Sequence, residues 1–143
     1  MSEQNYSFLD ATVDRELIQK LQTATQNLFW LSEAEYPWEI FYWHNADTFH
    51  ENILLQQSNC SSSVKIAIQQ LSDFFEPAIK LQSWHNDTEK AEVQRYQTLV
   101  NLITANLTDT KVYLLGEVEI DAYVLGTTKH NAIAGITTKI VRT

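Results

Sequence analysis

The stretch Leu31-Ser-Glu-Ala-Glu-Tyr-Pro-Trp-Glu-Ile-Phe-Tyr-Trp43 places two carboxylates, Glu33 and Glu35, directly before a run of aromatic residues. Pro37 fixes its own φ angle and biases the preceding residue toward an extended conformation, so we expect a stiff corner here. A strand is expected over residues 38–43, where the successive apolar and aromatic residues 40–43 are typical of a strand covered on both faces. Two carboxylates on a stiff loop are either a solvated helix end or an anionic group prepared for a partner, and both interpretations stay open at this point.

An amphipathic helix is predicted before this corner, over residues 13–31. Its apolar stripe has alternating spacings of four and three, which fits one face of a helix packed on a core. Thr12 or Asp10 is the expected cap. The members of the stripe are Leu17, Leu21, Ala24, Leu28 and Leu31.

A second long helix is predicted after residue 86. Asn86 and Glu89 have the spacing of a capping box, in which each side chain accepts a backbone hydrogen bond from the other residue. Its expected buried face is Val93, Tyr96, Val100, Ile103 and Leu107. Between the two long helices we expect a helical turn at residues 51–57, a strand at 64–68, and a short helix capped by Ser72 or Asp73.

The last third of the chain changes to a period of two. Residues 117–125 alternate, with Val118, Ile120, Ala122 and Val124 expected to face the core and the intervening acidic side chains to face solvent. Residues 132–141 are expected to return as an antiparallel partner. The sequence then stops at Thr143, which we expect to hold a fixed place. The whole pattern predicts an α+β fold with a mixed or antiparallel sheet of four to five strands.

Length, charge and cysteine usage narrow the functional class. The 143 residues fit one domain, 1–143, in which residues 1–11 are expected to form a flexible, polar N-terminal extension. The formal net charge of −8 disfavours direct nucleic-acid binding and favours a basic partner. Cys60 is the single cysteine, so we expect no disulfide framework. The lack of a signal or membrane-spanning segment predicts a cytoplasmic location, and we expect a monomer.

Catalytic and metal-binding interpretations have little support in the sequence. His44, Asp47 and His50 recur every third residue, but they lack further ligands, so a polar surface loop is the expected interpretation. Glu33 and Glu35 have the residue types of an acid–base pair in glycoside hydrolysis, although no sugar-binding cleft is indicated. The sequence contains no phosphate-binding loop and no metalloprotease motif. We therefore expect a protein that is not an enzyme and has no cofactor of its own.

Trp84 stands in a polar connector without apolar neighbours in sequence. A tryptophan in such a place is either tucked against the core or exposed as an anchor for a partner. The high average burial of tryptophan favours the first interpretation, whereas its frequency among interface hot spots keeps the second open.

Several segments together resemble the nuclease A inhibitors, a family of small acidic proteins that block sugar-nonspecific nucleases of the ββα-metal-finger type. The resemblance runs over nearly the whole chain, and the five segments occur in order with similar spacing. They are Leu31-Ser-Glu-Ala-Glu-Tyr-Pro-Trp-Glu39, Leu55-Gln-Gln57, Asp73-Phe-Phe75, Val112-Tyr-Leu-Leu-Gly-Glu-Val-Glu-Ile-Asp-Ala-Tyr-Val-Leu-Gly126 and Ala134-Gly-Ile-Thr-Thr-Lys-Ile-Val141 followed by Thr143.

The resemblance implies a three-layer α/β/α sandwich that plugs a nuclease active site. The glutamate matching Glu33 would replace the scissile phosphate there, with Glu35 beside it. The threonine matching Thr143 would contact the catalytic divalent metal of the nuclease, an ion of the Mg²⁺ type. Trp84 and the residue before it, Ser83, would form a second contact patch.

Two positions depart from the pattern of this family. Ser83 stands where an acidic residue precedes the tryptophan, so the second patch should lose a charged contact. Arg142 stands where an acidic residue is expected beside Thr143. Either difference predicts a lower affinity or a different nuclease as the partner. An alternative also stays open, in which the protein is an acidic interaction module of the same fold and its partner is not a nuclease.

Overall fold

The computed structural model describes residues 12–30, 34–58 and 64–142. The four described α-helices are α1 (Arg15–Thr25), α2 (Glu51–Gln57), α3 (Leu71–Ile79) and α4 (Asp87–Asn106). The seven described strands are β1 (Phe29–Trp30), β2 (Tyr36–Pro37), β3 (Glu39–Trp43), β4 (Ile66–Gln69), β5 (Thr108–Leu115), β6 (Glu119–Thr127) and β7 (Ile133–Val141). The predicted flexible extension, residues 1–11, lies outside the described residues.

Five strands form one sheet in the order β3-β7-β6-β5-β4, and every neighbouring pair is antiparallel. The two short strands β1 and β2 form a separate antiparallel ladder. The predicted α+β class is therefore confirmed, with a sheet at the upper end of the expected strand number. Because β7 lies between β6 and β3, the last strand of the chain pairs with the first strand of the large sheet.

Two clusters of buried side chains share the sheet. Alternate residues of β6 such as Ile120 and Val124 join a large cluster with side chains of α1, α3 and α4. The residues between them, including Tyr123 and Leu125, join a smaller cluster with Leu54 of α2. Since successive strand residues point to opposite faces, apolar packing explains why the central strands are buried at nearly every position. The three-layer sandwich implied by the resemblance stays a prediction.

The strand predicted after the acidic corner is confirmed as β3. Ile40 and Tyr42 belong to the large cluster and Phe41 to the small one, so this strand is covered on both faces as expected. The capping box of α4 is also confirmed. The backbone N–H of Glu89 donates to Asn86 Oδ1, and that of Asn86 donates to Glu89 Oε1, each at 2.8 Å.

The first helix is shorter than predicted, because α1 ends at Thr25 rather than at residue 31. Gln26 is extended and Asn27 adopts a positive φ of 58°, a conformation that ends a helix and that asparagine tolerates. Leu28 is still buried, but it reaches the core from the connection after the helix.

The predicted N-caps of α1 and α3 are wrong. The N-cap of α1 is Asp14 rather than Thr12, and its side chain makes no capping hydrogen bond because it serves a buried network instead. Gln70, rather than Ser72 or Asp73, occupies the N-cap of α3. Asp10 lies outside the described residues.

Two predictions about buried faces also need correction. Val118 precedes β6 and is 52% exposed, because the chain turns there and the alternating pattern runs past the strand end. In α4, Val100 was expected on the buried face, but Leu99 is buried there instead, together with Val93, Tyr96 and Ile103.

Candidate functional site

The acidic corner belongs to the segment that connects two short paired strands. Strands β1 and β2 pair through Phe29 with Pro37 and Trp30 with Tyr36, so residues 31–35 form the connection between them. Glu35 is exposed there. Glu33 lies outside the described residues, so its predicted role stays a prediction.

Aromatic packing holds the base of this hairpin on the core. Trp30 stacks on Phe74 with ring centroids 4.7 Å apart and meets Trp38 and Tyr96 edge-on. The Tyr96 hydroxyl donates to the Phe29 carbonyl at 2.7 Å and accepts from Trp38 Nε1 at 3.0 Å. Burial raises the pKa of Tyr96, since the apolar surroundings disfavour a phenolate. The hairpin therefore rises from a packed aromatic base.

A threonine on β7 joins the hairpin to the main sheet. The Thr138 hydroxyl lies 2.8 Å from the Pro37 carbonyl oxygen and 3.2 Å from that of Tyr36, so it can donate to either. Thr138 is buried, and its neighbour on β7, Thr137, pairs with Glu39 at the start of β3. Strand β2, which follows the acidic corner, is thus tied to β7.

The final strand ends on the same side of the sheet. Because β3 and β7 are antiparallel, the start of β3 and the last residues of β7 lie at one end of the sheet. At about 3.3 Å per strand residue, Arg142 lies roughly 13 Å beyond Thr138. The Arg142 backbone N–H donates to the Val118 carbonyl at 2.8 Å, which fixes the residue before Thr143. Thr143 itself lies outside the described residues.

Trp84 is exposed, so the expectation that it is tucked against the core is wrong. Its exposed fraction is 71%, and it meets His85 edge-on at a centroid distance of 4.3 Å. Ser83 beside it is also exposed. The reason is that the connector from α3 to α4 runs over the surface, with the Gln82 N–H bonded to His85 Nδ1.

A groove of about 420 Å³ connects Trp84 with the base of the hairpin. Trp30 lines it from the hairpin side and Tyr96 from α4, and Glu89 and Glu92 supply carboxylates from the same helix. Trp84 and the base of the hairpin therefore belong to neighbouring parts of one surface, a relation that no sequence spacing indicated.

The end of the sheet that carries the hairpin bears four exposed carboxylates, one of which, that of Glu117, lies 3.8 Å from Lys65 Nζ. Glu35, Glu39, Glu117 and Glu119 are exposed there. Lys139 donates to Asp121 Oδ1 at 3.1 Å, and that hydrogen bond raises the pKa of the Lys139 ammonium group. We call this region, with the hairpin tip and the end of β7, the acidic end of the sheet.

A buried polar network that the sequence analysis missed lies at the opposite end. Asp14 is buried, and its carboxylate accepts from the hydroxyls of Tyr42 at 2.8 Å and Thr128 at 3.0 Å. His130 Nδ1 lies 2.8 Å from the other carboxylate oxygen. The network joins three distant parts of the chain, at Asp14, at Tyr42 and at Thr128 with His130, so no local pattern could have indicated it. The network joins α1 to the sheet.

The loop with spaced histidines is a surface loop. His44, Asp47 and His50 are exposed around a 3₁₀ turn at Ala46–Thr48. Across the described ranges, no group of three or more His, Cys, Asp or Glu side chains is arranged to hold a metal ion. In the same ranges, no helix is long and apolar enough to cross a membrane.

The fold and this surface define an acidic α+β protein with exposed loops at one end of its sheet. The family model described as nuclease A inhibitor-like protein matches residues 15–143. The chain therefore belongs to the nuclease A inhibitor-like family, which confirms the resemblance drawn from the sequence. A comparison with curated proteins gave no match. Membership in an inhibitor family points to a nuclease as the partner.

Proposed function

We propose that this protein inhibits a metal-dependent, sugar-nonspecific nuclease by occupying its active site. The acidic tip at residues 31–35 would enter the site, with Thr143 near the catalytic metal. The observation that carries this proposal is the pairing of β3 with β7, which brings the hairpin and the last residues of the chain to the acidic end of the sheet.

The chemistry of such a nuclease fits an acidic tip. Its active site is built to hold phosphate, with cationic side chains and a divalent ion. The Glu33 carboxylate would supply negative charge there without a bond to cleave. Glu35, two residues further along, adds a second charge at the rim. The hairpin base held by Thr138 and the aromatic cluster would keep these groups in one geometry before binding, which lowers the entropy lost on association.

Thr143 would act beside the partner's metal. Hydroxyl and carboxylate oxygens are the hard ligands that Mg²⁺ accepts, so Thr143 can contact that ion in the complex. The protein itself needs no cofactor in this role. The Arg142 side chain is exposed next to Thr143, and its positive charge would oppose an electropositive site, so we expect weaker binding than an acidic residue would give there.

Trp84 and Ser83 would form a second contact patch. An exposed tryptophan above a groove with two carboxylates suits an arginine or lysine side chain, which is attracted to the ring face and to Glu89 and Glu92. Ser83 adds a hydroxyl but no charge, so specificity at this patch would depend mainly on Trp84. The net charge of −8 would speed the encounter with a basic nuclease and make the association rate sensitive to salt.

Titration against a ββα-metal-finger nuclease, with and without divalent metal, tests the proposal. We expect nuclease activity to be lost in proportion to inhibitor added, with an end point at one inhibitor per enzyme. Glu33→Ala and removal of Thr143 should each raise the inhibition constant. Glu16→Ala is the control, since Glu16 is an exposed carboxylate of α1 beside the opposite end of the sheet.

Two outcomes separate the function from its mechanism. Unchanged nuclease activity at every ratio would refute inhibition of this nuclease class and would favour the alternative, an acidic interaction module with another partner. Inhibition that survives both Glu33→Ala and removal of Thr143 would leave an inhibitor whose contacts lie elsewhere.

A further inference from the structure

A tight turn at residues 116–118 lies beside the end of β7. It joins β5 to β6, and two backbone hydrogen bonds fix it. The Gly116 N–H donates to the Lys65 carbonyl at 2.9 Å, and the Val118 carbonyl accepts from the Arg142 N–H at 2.8 Å. The turn therefore holds the residue that precedes Thr143.

The shape of this turn depends on glycine. Gly116 has a φ of +114°, which side chains of L-residues rarely adopt, and a Cβ there would lie 2.4 Å from the Glu119 carbonyl oxygen. This conformation reverses the chain so that Val118 leaves the sheet. The turn thus requires glycine at position 116, and it leaves Val118 half exposed.

Val118 is apolar and 52% exposed between two exposed carboxylates, Glu117 and Glu119. A single exposed apolar residue is ordinary on a protein surface. Here, however, the same residue carries the carbonyl that fixes Arg142. An apolar centre within a charged rim is also the usual composition of an interface.

We propose that the 116–118 turn is a third contact element for the nuclease, alongside the acidic tip and the Trp84 patch. Val118 packs against an apolar part of the nuclease surface next to the metal site. Its carbonyl holds the backbone of Arg142, and Arg142 in turn would present Thr143 to the metal. This inference rests on the proposed function and names a contact and a positioning role within the same surface.

The contact role is tested by Val118→Ser in the inhibition assay with Mg²⁺. Both residues are neutral, so charge does not change, and we expect the inhibition constant to rise about tenfold, as for a medium apolar side chain buried on binding. Val13→Ser is the matched control, because Val13 is 60% exposed near the opposite end of the sheet. Thermal melting should show both variants folded, since neither side chain belongs to the core.

The positioning role is tested by comparing Arg142→Pro with Arg142→Ala. Both remove the charge, but only proline removes the N–H that donates to Val118, and proline's preference for an extended preceding residue suits the strand end. We expect Arg142→Pro to bind at least about fivefold more weakly than Arg142→Ala with Mg²⁺. In a calorimetric binding experiment with chelator, the two variants should have equal dissociation constants, because the difference between them acts through contact with the metal.

The outcomes are distinct from those that test the proposed function. If wild-type protein inhibits and Val118→Ser matches Val13→Ser, the contact role is refuted while inhibition stands. If Arg142→Pro and Arg142→Ala bind equally with Mg²⁺, the positioning role is refuted. If the wild-type protein does not inhibit, the proposed function fails and this inference fails with it.

Discussion

Replacement of Thr138 by valine isolates the link between the final strand and the acidic tip. The two side chains have nearly the same shape, so packing in the buried site is kept and the hydroxyl is lost. The Pro37 and Tyr36 carbonyls then lose a donor at 2.8 and 3.2 Å. One intramolecular hydrogen bond contributes about 1 kcal/mol net, so we expect the free energy of unfolding to fall by about that amount.

The same loss should weaken inhibition. Strands β1 and β2 pair over only two residues each, and so short a ladder is marginal without further support. If the hydroxyl contributes about 1 kcal/mol to holding the tip, the valine variant must supply that free energy when it binds. Its dissociation constant should therefore be about fivefold higher. Calorimetry with a catalytically inactive nuclease measures this constant, and urea unfolding measures stability.

Thr137→Val is the matched control on the same strand. Its hydroxyl donates to the Ala122 carbonyl at 2.8 Å, so the substitution removes an equivalent bond away from the hairpin. We expect a similar loss of stability and unchanged affinity. Equal affinities for the Thr137 and Thr138 variants would refute the idea that Thr138 prepares the acidic tip for binding.

Three further perturbations follow from the structure. Trp84→Ala should leave the melting temperature unchanged, since the ring is 71% exposed, and should weaken nuclease binding more than tenfold in calorimetry, as is typical of an interface tryptophan. Asp14→Asn should lower the free energy of urea unfolding by about 1–3 kcal/mol while affinity stays the same, because the amide offers one acceptor oxygen in place of the two carboxylate oxygens that serve Tyr42, Thr128 and His130. Burial raises the pKa of Tyr96 above its ordinary 10.0, so the unfolded chain loses this proton first. The resulting stability is complete below pH 10 and declines as pH rises beyond it; urea unfolding from pH 8 to 11 should show this decline, and Tyr96→Phe should reduce its slope.

Local patterns predicted those elements whose hydrogen bonds and packing are themselves local. The capping box at Asn86 and Glu89 closes within four residues, so its spacing was enough to place the start of α4. The end of α1 was different. The apolar stripe continues through Leu28, which would be buried on a longer helix and is also buried on the connection after α1. The stripe therefore does not show where the helix ends, whereas the positive φ of Asn27 does.

The candidate site was predicted residue by residue but not as a surface. The acidic corner was evident from Glu33, Glu35 and Pro37. Its connection to the last strand depends on β7 lying between β6 and β3, a neighbour relation between strands far apart in sequence. The exposure of Trp84 likewise follows from the path of a connector over the surface, and average burial gave the opposite expectation.

Amide hydrogen exchange of the protein, free and bound to a ββα-metal-finger nuclease with Mg²⁺, tests the central claim most directly. Binding through the acidic end of the sheet predicts slower exchange in residues 34–36, 83–85 and 116–118 and at Arg142. Residues 127–131 at the opposite end should exchange at the same rate in both states. Protection confined to that opposite end, or no protection under conditions where the nuclease is inhibited, would contradict the account.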